Sequence, residues 1–158
     1  MTAVATEKML TLKEVLGYCH PGVLRRYAKE HDASPEEAEE VFWEMLKFLY
    51  LSYRAATNGP DQFACAVSAE IEKIDWMWHT FLLFTLDYGE FCDRYFGFFL
   101  HHVPNEDEEG KEEEVDEDVV RGEIQRQLGF VYDVLGEKTL TTWYDKCRYA
   151  AKAPAISV

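Results

Sequence analysis

Basic residues are scarce in this chain. Sixteen lysines and arginines face thirty aspartates and glutamates, a formal net charge of −14 over 158 residues. That deficit argues against a nucleic-acid binder, whose affinity comes from cations that neutralise phosphates. It argues equally against docking on an anionic membrane. Long apolar runs are also missing. The longest, residues 76–86, is broken by His79 and Thr80 and falls far short of the roughly 20 residues a membrane span needs. The first residues, MTAVATEKML, lack the apolar core of a secretory signal, so none is expected. The four cysteines, Cys19, Cys65, Cys92 and Cys147, form no CxxC pair. In a chain that can build its own core they are expected to be reduced thiols of a cytoplasmic protein. No segment shows sustained strand alternation between turn signals.

What the chain does have is apolar material at helical spacing. Hydrophobic residues make up 47% and aromatics 15%, enough for one domain spanning residues 1–158. Thr11 and Glu14 form a capping-box pattern ahead of a helix beginning at Leu12, which Pro21-Gly22 interrupts. A short helix over about 22–31 follows. Ser34-Pro35-Glu36-Glu37 starts a longer one, with Val41, Phe42, Met45, Leu46, Leu49 and Tyr53 on one face, stopping at Asn58-Gly59-Pro60. Further helices are predicted over about 69–84, over 86–99 behind Thr85 as cap, from Val119 to Gly136, and from Thr139 to Tyr149. The expected fold is all-α, a compact bundle of five to seven helices.

The negative charge is concentrated. Residues 105–118, NEDEEGKEEEVDED, carry ten acids and one lysine, a net of −9 that leaves −5 for the rest. Such a block repels itself and buries nothing, so it is expected to be a flexible, disordered surface loop. Its functional alternative is a lure for a basic protein partner.

Chemistry gathers in residues 70–104. Over 69–84, Ile71, Ile74, Trp78, Phe81 and Leu82 form an apolar stripe, which makes Trp78 a core anchor and leaves Trp76 more exposed. Asp75 lies at the edge of that stripe, and His79 follows four residues on, a neighbour along a helix. A carboxylate there needs a partner. Cys92 shares the core face of the next helix with Tyr88, Tyr95 and Phe99. His101 and His102 close the segment, and adjacent residues diverge, so one of them is expected to point inward. Carboxylate, imidazole and thiolate are all ligands of first-row metals, so Asp75, His79, Cys92, His101 and His102 are the candidate metal ligands, with zinc or iron as the ion. Two other readings stand beside this one: a structural Asp75–His79 hydrogen bond, and an acid–base pair in which Asp75 orients His79. Cys92 also reads simply as a small buried hydrophobe. His20 and His31 read as cap or surface residues.

Asp75, Trp78-His79-Thr80, Leu83, Tyr88, Cys92, Gly97 and a histidine at 101 or 102 form a block that resembles the glycine-rich domain-containing protein-like family. The resemblance covers about 30 residues and implies a minimal, single-domain member, because the chain has nine scattered glycines and no glycine-rich tail. Phe81 stands where many members place a second histidine, which weakens any metal geometry taken from the family. Three function classes follow. The first is a small binding or accessory protein built on an Asp/His/Cys site. The second is a metal-dependent enzyme using Asp75, His79 and His101 or His102. Di-iron helical bundles also use such a pair but need more carboxylates; Glu37, Glu40, Glu44 and Glu70 are present, and only Glu44 lies near an apolar face. The third is an acidic interaction protein acting through 105–118.

Overall fold

A computed structural model describes residues 9–103 and 116–145. Seven α-helices and two 3₁₀ turns make up the regular structure of these residues, with no strand among them. Helix α1 (Leu12–Leu16) opens with the expected capping box: Thr11 Oγ1 accepts from the Glu14 N–H at 3.3 Å, and Glu14 Oε2 accepts from the Thr11 N–H at 2.9 Å. It ends at Gly17, earlier than the Pro21-Gly22 break suggested. Helix α2 (Pro21–His31) takes Pro21 as its first residue, and His20 is its N-cap. Helix α3 (Pro35–Ala56) begins where Ser34 Oγ accepts from the Glu37 N–H at 3.1 Å.

Helix α3 is the spine. Phe42, Met45, Leu46, Phe48, Leu49 and Leu51 are all buried along it, and it packs against α1, α2, α4 and α6. Residues on both sides of this helix are buried, which explains why its apolar residues outnumber a single stripe. The predicted helix over 69–84 is a 3₁₀ turn (Ala69–Ile71) leading into α4 (Glu72–Leu82). Ile71, Ile74, Trp78 and Phe81 are buried as the spacing requires, Trp78 at 6% exposure against 38% for Trp76.

Helix α5 (Thr85–Tyr95) differs from expectation at both ends. Thr85 is its first residue rather than its cap, and the cap position, Phe84, makes no side-chain bond. The helix stops at Tyr95, not Phe99, because Gly97 adopts φ 74, a left-handed conformation that cannot continue it. Phe99 therefore leaves the core face and is exposed. Helix α6 (Glu117–Leu135) and α7 (Glu137–Tyr144) meet at Gly136, whose φ of 86 makes the break. Asp116 caps α6 and Glu117 and Asp118 lie in its first turn, so the last two residues of the acidic block are helical and the one before them is the cap, with all three charges at the positive end of the dipole. Residues 105–115 and the expected helix beyond Asp145 lie outside the described residues, as does Cys147. Cys19, Cys65 and Cys92 are free thiols. Among the described residues, no helix is long and apolar enough to cross a membrane.

Candidate metal centre

The stripe of Ile74, Trp78 and Phe81 fixes the rotation of α4, and that rotation sets Asp75 and His79 at the rim of the core, one turn apart. A histidine from beyond α5 comes to meet them. His102 Nε2 donates to Asp75 Oδ1 at 2.7 Å, and His79 Nδ1 lies 3.3 Å from Asp75 Oδ2. The two imidazole rings are 4.4 Å apart, centroid to centroid. One potential ligand atom from each of Asp75, His79 and His102 lies within 4.8 Å of the other two. Side-chain exposure is 12% for His102, 27% for Asp75 and 53% for His79, so the group opens outward from a buried imidazole.

The short bond is therefore between Asp75 and His102, 27 residues apart. The expected Asp75–His79 pair exists in a weaker form. His79 Nδ1 donates chiefly to the backbone carbonyl of Asp75, at 2.8 Å. That bond fixes the tautomer and leaves Nε2 as the imidazole's lone-pair nitrogen, the arrangement a metal-binding histidine uses.

Two buried side chains, Trp78 and Tyr88, hold His102 in place. Trp78 Nε1 donates to the Tyr88 hydroxyl at 3.0 Å, and that hydroxyl donates to the Leu100 carbonyl at 2.6 Å, two residues before His102. The Trp78 ring also meets the His102 ring edge-on, with centroids 4.4 Å apart. Burial pushes the Tyr88 phenol well above its ordinary range, so it stays a donor. Trp78 and Tyr88 were placed in the core by their spacing. Their role in seating His102 had no sequence signal, because it depends on how the chain folds back after Gly97.

The other candidate ligands go elsewhere. His101 is exposed and lies against the Phe99 ring at 4.8 Å. Cys92 is fully buried among Tyr88, Phe91 and the Leu100 carbonyl, and burial raises its thiol pKa. Neither joins the Asp75/His79/His102 group. Cys92 is thus the small core residue of its plainer reading, and the candidate set contracts from five residues to three. His20 is a cap, as expected: Nδ1 accepts from the Val23 N–H at 3.1 Å while Nε2 reaches Asp87 at 3.0 Å. His31 stacks flat on Trp76, the planes 3° apart. Glu44 is bound on both oxygens, by Trp143 Nε1 at 2.7 Å and Lys47 Nζ at 2.8 Å, and Glu37 is bound by Lys73 Nζ at 2.7 Å. Among the described residues, none of the glutamates weighed for a di-iron site joins a metal-spaced group.

The three-residue group opens into a cleft of about 490 Å³. Its far wall is the chain at 64–67, which contributes Cys65, half-buried and with its thiol pushed up to about 12 by burial. That thiol is protonated at neutral pH and is not a ready ligand.

Residues 17–122 match the model of the UCP032817-like family. The chain belongs to the UCP032817-like family. The match takes in α2 through α5, all three residues of the site, and the first turn of α6. The UCP032817-like region thus contains both the α4 pair and the returning His102, while most of α6 and all of α7 lie beyond it. No curated protein and no solved structure matches the chain.

Proposed function

We propose that this small helical protein binds one divalent transition-metal ion, zinc or ferrous iron, through Asp75, His79 and His102, with an open coordination position facing the cleft. The observation that carries the reading is the convergence of a carboxylate and two imidazoles, from α4 and from the chain after α5, within 4.8 Å of one another. Ligand atoms roughly 2.0–2.2 Å from one ion sit about 3–3.6 Å apart. The 2.7 Å separation of Asp75 Oδ1 from His102 Nε2 is a little below that spacing, with a proton in the ion's place. Binding would replace the proton on His102 Nε2, while the carbonyl of Asp75 continues to orient His79. Three protein ligands leave the ion able to take a water or a further ligand, unlike a closed four-ligand structural site. The first-row preference follows from the two imidazoles, which magnesium and calcium sites seldom use.

One observation favours a second reading. The 2.7 Å Asp75–His102 bond already satisfies both partners without an ion, so it also serves as a clasp joining α4 to the chain after α5. Thermal unfolding separates the two. At about 100-fold excess over its dissociation constant, a single ion stabilises by about 2.7 kcal/mol, on the order of 5–10 °C here. Zinc should raise the melting temperature of the wild type by that amount and leave His79→Ala unmoved. His79 is the most exposed of the three, so its loss should not unfold the chain. A wild type indifferent to zinc and ferrous iron leaves only the clasp. The block resembling the glycine-rich domain-containing protein-like family contains the same residues, and the proposal extends to that kinship: members sharing Asp75, His79 and a histidine at 102 would share the site.

A further inference from the structure

The cleft beside the three-residue group continues into a second one of about 280 Å³, and the two share Ala64, Cys65, Trp78 and His101. Together they form one gap between two stretches of chain, 62–67 on one side and 100–103 on the other, with Trp78 at its base. Neither stretch contains a turn or bend over these residues, and the first is extended at its ends, with ψ 144 at Gln62 and ψ 167 at Ser68.

One edge of the first stretch is occupied. The side-chain amide of Gln127 on α6 accepts from the Ala66 N–H at 2.8 Å and donates to the Ala66 carbonyl at 2.7 Å, as a neighbouring strand would. In extended chain, successive residues turn their N–H and C=O groups to opposite edges. Cys65 and Val67 therefore turn theirs away from Gln127. Phe63, in phase with them, spends its N–H on the Ala55 carbonyl at 3.2 Å, at the end of α3. The backbone groups of Cys65 and Val67 bond to no described residue, and the same holds for His101, His102 and Val103 across the gap.

We propose that this gap is a slot for an extended polypeptide segment, held by backbone hydrogen bonds to the 62–67 and 100–103 walls. The occupant is argued from what the walls lack. Donors and acceptors left over at Cys65 and Val67 on one wall and at residues 101–103 on the other are matched by one ligand chemistry, another backbone that carries both kinds of group on each edge. At about 3.3 Å per residue the 62–67 wall runs near 20 Å and the 100–103 wall near 13 Å, so a strand of about four residues is flanked on both edges. Trp78 and Ala64 offer an apolar base for every second side chain. The alternate side chains face solvent beside a protein of net charge −14, which favours lysine there. The slot does not depend on the metal reading; the metal group sits at its rim.

The test uses three fluorescein-labelled, amidated hexapeptides alternating lysine with valine, leucine or phenylalanine, titrated against the full chain by anisotropy in EDTA and again with zinc. At least one should bind saturably in both. Methylating its two central amide nitrogens leaves charge and side chains intact and removes two hydrogen bonds, so binding should fall about tenfold or more. Bound peptide should slow amide exchange at Cys65, Val67 and at least one of residues 101–103. Ala64→Trp, at an exposed position, should block binding by filling the slot; the methylated peptide decides the question on the wild type even if that variant misfolds. No saturable binding by any of the three, equal binding of the methylated form, protection confined to other residues, or binding that appears only with zinc would each overturn the proposal. The metal reading is judged separately, by the response of melting temperature to zinc.

Discussion

Replacing Tyr88 with phenylalanine tests how the site is built. The change removes one oxygen from a fully buried side chain and leaves the ring packed against Phe81 and Phe91. It strands two groups at once: the Trp78 indole N–H, 3.0 Å from that oxygen, and the Leu100 carbonyl, 2.6 Å from it. A buried polar group left without a partner costs about 1–3 kcal/mol. The indole, 6% exposed, should lose most of that, and the half-buried Leu100 carbonyl less, since water can reach it. The expected loss is about 2–4 kcal/mol, or roughly 5–15 °C in melting temperature. Urea unfolding followed by tryptophan fluorescence measures it. Tyr88→Phe combined with Trp78→Phe should cost less than the two changes added, because the double variant no longer contains the stranded N–H. Zinc affinity should fall about 10–100-fold, the usual cost of losing a group that orients a metal ligand. A loss below about 0.5 kcal/mol, or strict additivity, would refute the tether from Trp78 through Tyr88 to the segment bearing His102.

Trp78→Ala should cost about 3–5 kcal/mol by urea unfolding and Trp76→Ala clearly less, since the second ring is partly exposed and stacks on His31; equal losses would contradict the rotation assigned to α4. In native protein at pH 8, Ellman's reagent with mass-spectrometric mapping should modify exposed Cys19 readily and spare Cys65 and Cys92, whose thiols burial holds protonated. Burial, aided by Asp87 at Tyr18 and by Glu37 at Tyr27, raises both phenols to about 12. The folded chain then holds these protons more tightly than the unfolded chain, which releases them near 10. Stability contributed this way is complete below pH 10 and is lost as pH rises through 12, so urea midpoints should fall across that window. A flat profile between those limits would count against buried phenols.

Much of the fold was legible because burial imposes a period. The stripe Ile71, Ile74, Trp78 and Phe81 gave the phase of α4, and with it the positions of Asp75 and His79. Caps at Thr11 and Ser34 were legible because their partners lie three residues away. The end of α5 was not. Nothing local to Phe96–Phe99 forbids helix except Gly97, and a glycine need not take the positive φ that it does here. Asp75's true partner was hidden for a related reason. Spacing of four residues pointed to His79, while the 2.7 Å bond to His102 spans 27 residues and exists only because the chain turns back after α5. Adjacent residues diverge, so one of His101 and His102 is expected to face inward. Which one depends on the Tyr88 bond to Leu100, a tertiary contact that sets the register of the two residues that follow. Cys92 was assigned to the core face and lies there; membership of the ligand set was a matter of distance, which periodicity does not carry.

The metal reading is tested most directly by equilibrium dialysis of untagged protein against zinc and against ferrous iron under anaerobic conditions, with bound metal determined by elemental analysis. Wild type should retain about one ion per chain, and His79→Ala and His102→Ala, each shown by circular dichroism to be folded, should retain almost none, as three convergent ligands require. Zinc or iron retained equally by wild type and both variants, or by none of the three, would contradict a metal centre at Asp75, His79 and His102.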